Sequence, residues 1–105
     1  MSKVKILIVE DELIIAEDLK DILESLDYEV CGIAITARES LQLLEEHAPD
    51  IALLDIQIKG GKDGIELAHD INEQFQIPFI FLSSHADAAT LDRAKKVRPY
   101  GYLVK

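Results

Sequence analysis

Five side chains in this sequence stand at the far ends of apolar runs and could share one piece of chemistry. Glu10 and Asp11 close the run KVKILIV (3–9), Asp55 closes Ile51–Leu54, Ser83 closes Pro78–Leu82, and Lys105 closes Tyr100–Val104. Three carboxylates, a hydroxyl and an ammonium on one rim suit phosphoryl chemistry. Crowded carboxylates repel one another, and a divalent cation relieves that repulsion. Mg²⁺ is the natural candidate, because it takes hard oxygen ligands and is commonly held by one or two carboxylates with phosphate oxygens and water. An ionised aspartate at the centre can attack phosphorus and give an aspartyl phosphate. The cation and the lysine would offset charge on the phosphoryl oxygens in the transition state. Any one of these residues alone is an ordinary solvated loop residue. The signal is that all of them fall, in order, at the ends of four different runs.

Such positions matter only if a fold collects them. After Asp11, apolar residues recur at Ile15, Leu19, Ile22 and Leu26, with Ala16 and Leu23, as one helical stripe. Tyr28–Ala34 is a second strand candidate. Thr36-Ala37-Arg38-Glu39 has the capping-box form, Ala37, Leu41, Leu44 and Ala48 make the next stripe, and Pro49-Asp50 should stop that helix. Ile51–Leu54 reads as the third strand. A loop rich in Gly and Lys (59–64) then leads to a stripe at Ile65, Ala68, Ile71 and Phe75. Pro78–Leu82 is the fourth strand. Asp87–Val97 is a weaker helix with Leu91 and Ala94 facing inward, Pro99 breaks it, and Tyr100–Val104 is the fifth strand. The strands are near-continuous apolar runs, as when both faces of a parallel sheet are covered. Strands alternating with helices imply right-handed crossovers and an open, doubly wound α/β sheet. Ligands bind such sheets outside the carboxyl ends of the strands, where the five groups stand.

A chain of 105 residues, 49% apolar and 30% charged, is the size of one globular domain, with no linker, repeat or low-complexity segment. Twenty acidic against eleven basic side chains leave a net charge of −9, which argues against nucleic-acid binding by this segment. The single cysteine, Cys31, allows no intrachain disulfide, which suits a reducing cytosol. In its apolar run it reads as a small buried core residue. Val4–Val9 is too short for a signal peptide, and no run approaches the roughly 18–20 apolar residues of a membrane span. A cytoplasmic location is therefore expected. His47, His69 and His85 read as surface residues, and no two have zinc-ligand spacing. Gly60-Gly61-Lys62 lacks the spacing and the following hydroxyl of a Walker loop.

Taken in order, ILIVEDE (6–12), IALLDIQI (51–58), GKDGIELA (61–68), FIFLSSHAD (79–87) and YGYLVK (100–105) make the chain resemble the receiver family of two-component signalling over essentially its whole length. The resemblance implies a flavodoxin-like, five-stranded parallel sheet with strand order 2-1-3-4-5. It implies that Asp55 is the phosphoacceptor and a metal ligand, with Mg²⁺ or another divalent cation as cofactor. Asp11 would be a direct ligand, Glu10 would act largely through water, and the backbone carbonyl of Gln57 would be the third protein ligand. Ser83 would bond a phosphoryl oxygen after transfer and Lys105 would pair with another. Tyr102 matches the aromatic that swings inward when that hydroxyl is drawn towards phosphate. The implied partners are a sensor histidine kinase and an output domain or downstream protein, with homodimerisation through the fourth helix and fifth strand as a further family option. The implied role is a switch that assists its own phosphorylation and dephosphorylation, not a turnover enzyme.

Some positions depart from the family's commonest pattern. Ile58-Lys59 stand where Met-Pro is frequent, and the loop to Asp63-Gly64 is one residue longer. Ser84 replaces a usual Ala, and with Gln57 and His85 it occupies positions that tune how fast the phosphoryl group is lost. Val97-Arg98-Pro99-Tyr100 has no Gly-Ala pair before the fifth strand. The family continues beyond Lys105 with a fifth helix, so 1–105 is expected to be a receiver domain truncated before that helix. An apolar face is then expected to be left for further chain or a partner to cover. Two other functions fit parts of the pattern: a degenerate, phosphorylation-independent receiver, and a metal-dependent hydrolase on the same fold. The intact acidic pair, Asp55, Ser83 and Lys105 favour the phosphoacceptor over the first. The second lacks a further acid to protonate a leaving group.

Overall fold

The structure, a computed structural model, describes residues 3–58, 60–83 and 87–104. Strands and helices alternate along it: β1 (Lys5–Val9), α1 (Leu13–Ser25), β2 (Glu29–Ala34), α2 (Ala37–His47), β3 (Ile51–Asp55), α3 (Gly64–Gln74), β4 (Phe79–Ser83), α4 (Ala88–Lys96) and β5 (Gly101–Val104). The five strands form one parallel sheet in the order β2-β1-β3-β4-β5. This is the doubly wound, flavodoxin-like α/β architecture, and the central strands are buried on both faces, which is why their sequences do not alternate. Leu7, Ile8, Val9, Leu54 and Phe81 have no accessible surface.

Three of the four helix starts follow side-chain chemistry, and α1 begins after Glu12 without a side-chain cap. Thr36 Oγ1 accepts the Glu39 amide at 3.1 Å, Asp63 accepts the Glu66 amide at 2.9 Å, and Asp87 accepts the Thr90 amide at 2.7 Å. The Thr36–Glu39 box is offset by one residue: the Glu39 carboxylate accepts from the Ile35 amide, at 2.9 Å, rather than from Thr36. The complete capping box belongs to α3, where Asp63 and Glu66 cap each other's backbone amides. Helix ends follow a second rule. Asp27, Ala48, Gln76 and Arg98 lie just past the four helices, and all have left-handed backbones, with φ of 72°, 46°, 56° and 55°. The chain thus turns out of α2 and α4 one residue before Pro49 and Pro99, and the prolines follow the reversal.

Two expectations about burial are corrected. Cys31 is half-buried, because the β1–β2 register steps from Ile6↔Val30 to Leu7↔Gly32 and leaves it as the extra residue of a bulge on an edge strand. Burial still raises its thiol above the ordinary cysteine range. The α1 stripe is also less buried than its period implies. Ala16 is fully covered, but Ile22 and Leu26 are more than half exposed. The large core packs α2, α3 and α4 against one sheet face, while the other face carries a small cluster of Ile6, Leu53 and Leu82 with Leu19 and Leu23 of α1. Beside α1 an apolar groove remains, lined by Val4, Leu19, Leu23, Ile80, Leu82 and Leu103. An apolar dye such as anilinonaphthalene sulfonate should therefore brighten on the native chain. Leu103→Asp, which puts a carboxylate in the groove and repels the dye's sulfonate, should remove most of that signal without unfolding the sheet. A native chain that leaves the dye dark would show that this face is closed.

Candidate functional site

The sheet order reverses between β1 and β3: one crossover leaves β1 for β2 and the other leaves β3 for β4. Ligands bind open α/β sheets in the crevice this reversal creates at the strands' carboxyl ends. Glu10 and Asp11 follow β1 directly, and Asp55 is the last residue of β3. Val9 pairs with Leu54, so Glu10 and Asp55 come level on neighbouring strands. One carboxylate oxygen from each of Glu10, Asp11 and Asp55 lies within 4.8 Å of the others. Glu10 and Asp55 are buried and Asp11 is half-exposed, so the cluster opens to solvent on Asp11's side.

That spacing fits a divalent cation. Two oxygens bound to one Mg²⁺ at 2.0–2.1 Å stand at most about 4.2 Å apart, and around Ca²⁺ at most about 5 Å apart. The 4.8 Å limit lies between these two spans, so a cation entering the cluster would draw the oxygens closer together. Three carboxylates with two of them out of water are a costly arrangement without a counter-charge, and a hard cation supplies one.

The β3–α3 turn wraps the central carboxylate. The Gln57 amide donates to Asp55 Oδ1 at 3.2 Å, and Gln57 itself is exposed beside the rim. Asp55 pairs with Leu82, so Ser83 stands one residue further along the next strand, 4% exposed. Val104 pairs with Ser83 on β5, and Lys105, which comes next, lies outside the described residues, as do Lys59, Ser84 and His85. Tyr102 sits on β5 with its ring edge-on to Phe81, centroids 6.4 Å apart. Its hydroxyl is buried with no hydrogen-bond partner among the described residues. A buried hydroxyl left unpaired costs about 1–3 kcal/mol, so this side chain gains by reaching a partner. Of the residues named from sequence, the structure joins Glu10, Asp11 and Asp55 directly. It sets Ser83 on the same rim and Gln57 in the adjoining turn. His47 and His69 are exposed and far from this chemistry in sequence and element.

Three residues beside the site carry structural roles that sequence patterning did not single out. Gly64 opens α3 with its amide donating to the Ile56 carbonyl at 2.7 Å, and a Cβ built there would overlap the backbone of Asp55. Asp63 caps α3 and also accepts from Arg93 of α4 at 2.9 Å. The D-x-x-E spacing of Asp63 and Glu66 was a readable signal for the cap; nothing in sequence signals the Arg93 contact. Lys62, by contrast, is taken up by Asp70 at 2.6 Å, and that hydrogen bond holds its ammonium above the ordinary lysine range.

Comparison with known proteins agrees with this fold. The profile of the family described as the response regulator receiver domain matches residues 6–105. The transcriptional regulatory protein PdtaR of Mycobacterium tuberculosis is 33% identical over 101 residues, covering 96% of this chain and 49% of that protein. The phyllosphere-induced regulator PhyR of Methylorubrum extorquens is 36% identical over 84 residues, covering 79% of this chain and 32% of that one. Among solved structures, the signal receiver domain of a modulated diguanylate cyclase from Desulfovibrio desulfuricans superposes with a TM-score of 0.93 at 40% identity, covering 99% of this chain and 82% of that one. The chain spans half or less of the curated relatives it matches here.

Proposed function

The chain belongs to the response regulator receiver domain family, and we propose that it is a phosphoacceptor switch that takes a phosphoryl group from a sensor histidine kinase onto Asp55. The observation that carries this reading is the Glu10–Asp11–Asp55 cluster at the β1–β3 crevice, with Ser83 on the same rim. An Asp55 carboxylate oxygen attacks phosphorus, the bond from phosphorus to the donor's imidazole nitrogen breaks, and that nitrogen leaves with the bond's electron pair and takes up a proton. Glu10, Asp11, Asp55 and the Gln57 carbonyl would hold Mg²⁺, which supplies positive charge to the phosphoryl oxygens. Ser83 then donates its hydroxyl to one phosphoryl oxygen and Lys105 pairs with another. Movement of Ser83 towards phosphate frees space into which Tyr102 turns, so the chemical event becomes a change of surface.

On this reading the domain is a switch and not a turnover enzyme, and it works in the cytoplasm. No helix among the described residues is long and apolar enough to cross a membrane. Its partners are the kinase and an output domain or downstream protein, nucleic acid is not bound by this segment, and the α4–β5 face offers a route to a homodimer. The reading is tested with acetyl phosphate. The chain should gain the mass of one phosphoryl group only when Mg²⁺ is present, and hydroxylamine should remove it, as it does from an acyl phosphate. No gain with Mg²⁺ would leave a phosphorylation-independent module. Steady hydrolysis of a small phosphoester would point to a hydrolase.

A further inference from the structure

The chain contains a second connection to the phosphoacceptor, made through the start of α3. Gly64, the first residue of that helix, lies against the backbone of Asp55 so closely that no Cβ fits. Its amide donates to the carbonyl of Ile56 at 2.7 Å. Whatever fixes this helical turn also fixes the strand end that carries Asp55 and the turn that carries Gln57. The turn is fixed by Asp63, which uses both carboxylate oxygens. Oδ1 accepts the Glu66 amide at 2.9 Å, and Oδ2 accepts Arg93 Nη2 of α4 at 2.9 Å. Arg93 lies 30 residues further along the chain, on the helix that follows Ser83. Lys62 does not provide the same tie, because its partner Asp70 lies on α3 itself and moves with it.

We propose that Arg93 is a positioning residue for Asp55: through Asp63 it clamps the first turn of α3 onto the β3 strand end and so holds the cation and phosphoryl site in shape. The proposal rests on the phosphoacceptor reading and adds to it a mechanical tie between α4 and the site. The pair is half-exposed on the Arg93 side, so its effect is modest. Asp63→Asn is an informative partner variant, because asparagine caps a helix about as well as aspartate while losing the charge that Arg93 grips.

The experiment follows Mg²⁺ binding through the Gln57 amide resonance in wild type, R93Q, D63N, the double variant and R93K. R93Q and D63N should each weaken Mg²⁺ binding about two- to fivefold, the range of a partly exposed ion pair. The double variant should be no weaker than the worse single variant, and R93K should recover most of the loss. A purely through-space charge effect gives opposite signs instead: removing the arginine would tighten Mg²⁺ and removing the aspartate would weaken it. Opposite signs, additive losses, or unchanged affinity in R93Q with only a lowered melting temperature would overturn the positioning role. Wild type with no saturable Mg²⁺ response, or one that D55N leaves intact, would instead remove the phosphoacceptor reading and the proposal with it.

Discussion

Gly64→Ala is expected to cost about 3 kcal/mol or more of folding stability, at the upper end of overpacking effects. The added methyl would overlap the Asp55 carbonyl oxygen and come within 2.9 Å of Asp55 C and Ile56 Cα. All three are backbone atoms of a central strand and the turn that follows it, so no rotamer change relieves the contact. Relief requires α3 to back away, which breaks the Gly64–Ile56 hydrogen bond and lifts Ile65, Leu67, Ala68 and Ile71 from the core. A domain of this size is stabilised by about 5–15 kcal/mol in all, and each kcal/mol shifts its melting temperature by about 4–8 °C. The drop should therefore exceed about 12 °C in a circular-dichroism melt. Gly61→Ala is the matching control. Gly61 has φ of 95°, but a methyl group added there would meet nothing within 4 Å, so it bears only the backbone cost, about 1–3 kcal/mol. If G64A melts within a degree or two of wild type, α3 is not pressed against Asp55, and the clamp through Asp63 loses its basis.

This contrast marks the boundary of what the sequence makes legible. The fold could be read because the strands are buried on both faces, so KVKILIV or PFIFL stands out without alignment or contacts. The rim could be read because strand direction in a parallel sheet puts Glu10, Asp55 and Ser83 at one edge whatever the details of packing. What could not be read depends on pairings with no local signature. The helical period of α1 says that Ile22 and Leu26 share a stripe with Leu19, but not whether anything lies over them, and both are exposed. The apolar run 28–34 does not show that Cys31 is an extra residue between two registers. Gly64 reads as one more loop glycine until Asp55 is placed beneath it. Arg93 and Asp63 meet only because the fold sets α4 alongside the start of α3. The order of residues along the chain placed three carboxylates on one rim, and tertiary contact shows what packs against them.

Asp55→Asn should abolish phosphoryl uptake and, in the absence of divalent cations, make the protein more stable. The first effect is chemical. An amide in the same position has no carboxylate charge with which to attack phosphorus, so the Mg²⁺-dependent mass gain with acetyl phosphate should vanish. The second effect is electrostatic. Asp55 contributes one of three carboxylates whose oxygens lie within 4.8 Å, and it is 5% exposed. At such separations like charges repel by on the order of 1–4 kcal/mol between water and a protein-surface dielectric, and one expected ammonium at Lys105 balances only part of three negative charges. Asparagine keeps the shape and the oxygen that receives the Gln57 amide. A gain of about 1–2 kcal/mol, or roughly 4–16 °C in melting temperature, is expected in chelator. Saturating Mg²⁺ should narrow the difference, because wild type gains about 2.7 kcal/mol at a hundredfold excess over its dissociation constant and the variant, missing one ligand, gains less. Paired melts in chelator and in Mg²⁺ measure both terms at once. A variant less stable than wild type in chelator would mean that the protein's own groups, and not a bound cation, compensate the charge of Asp55. Phosphoryl uptake at the wild-type rate would move the acceptor to another residue, with Ser83 the first to examine on that rim.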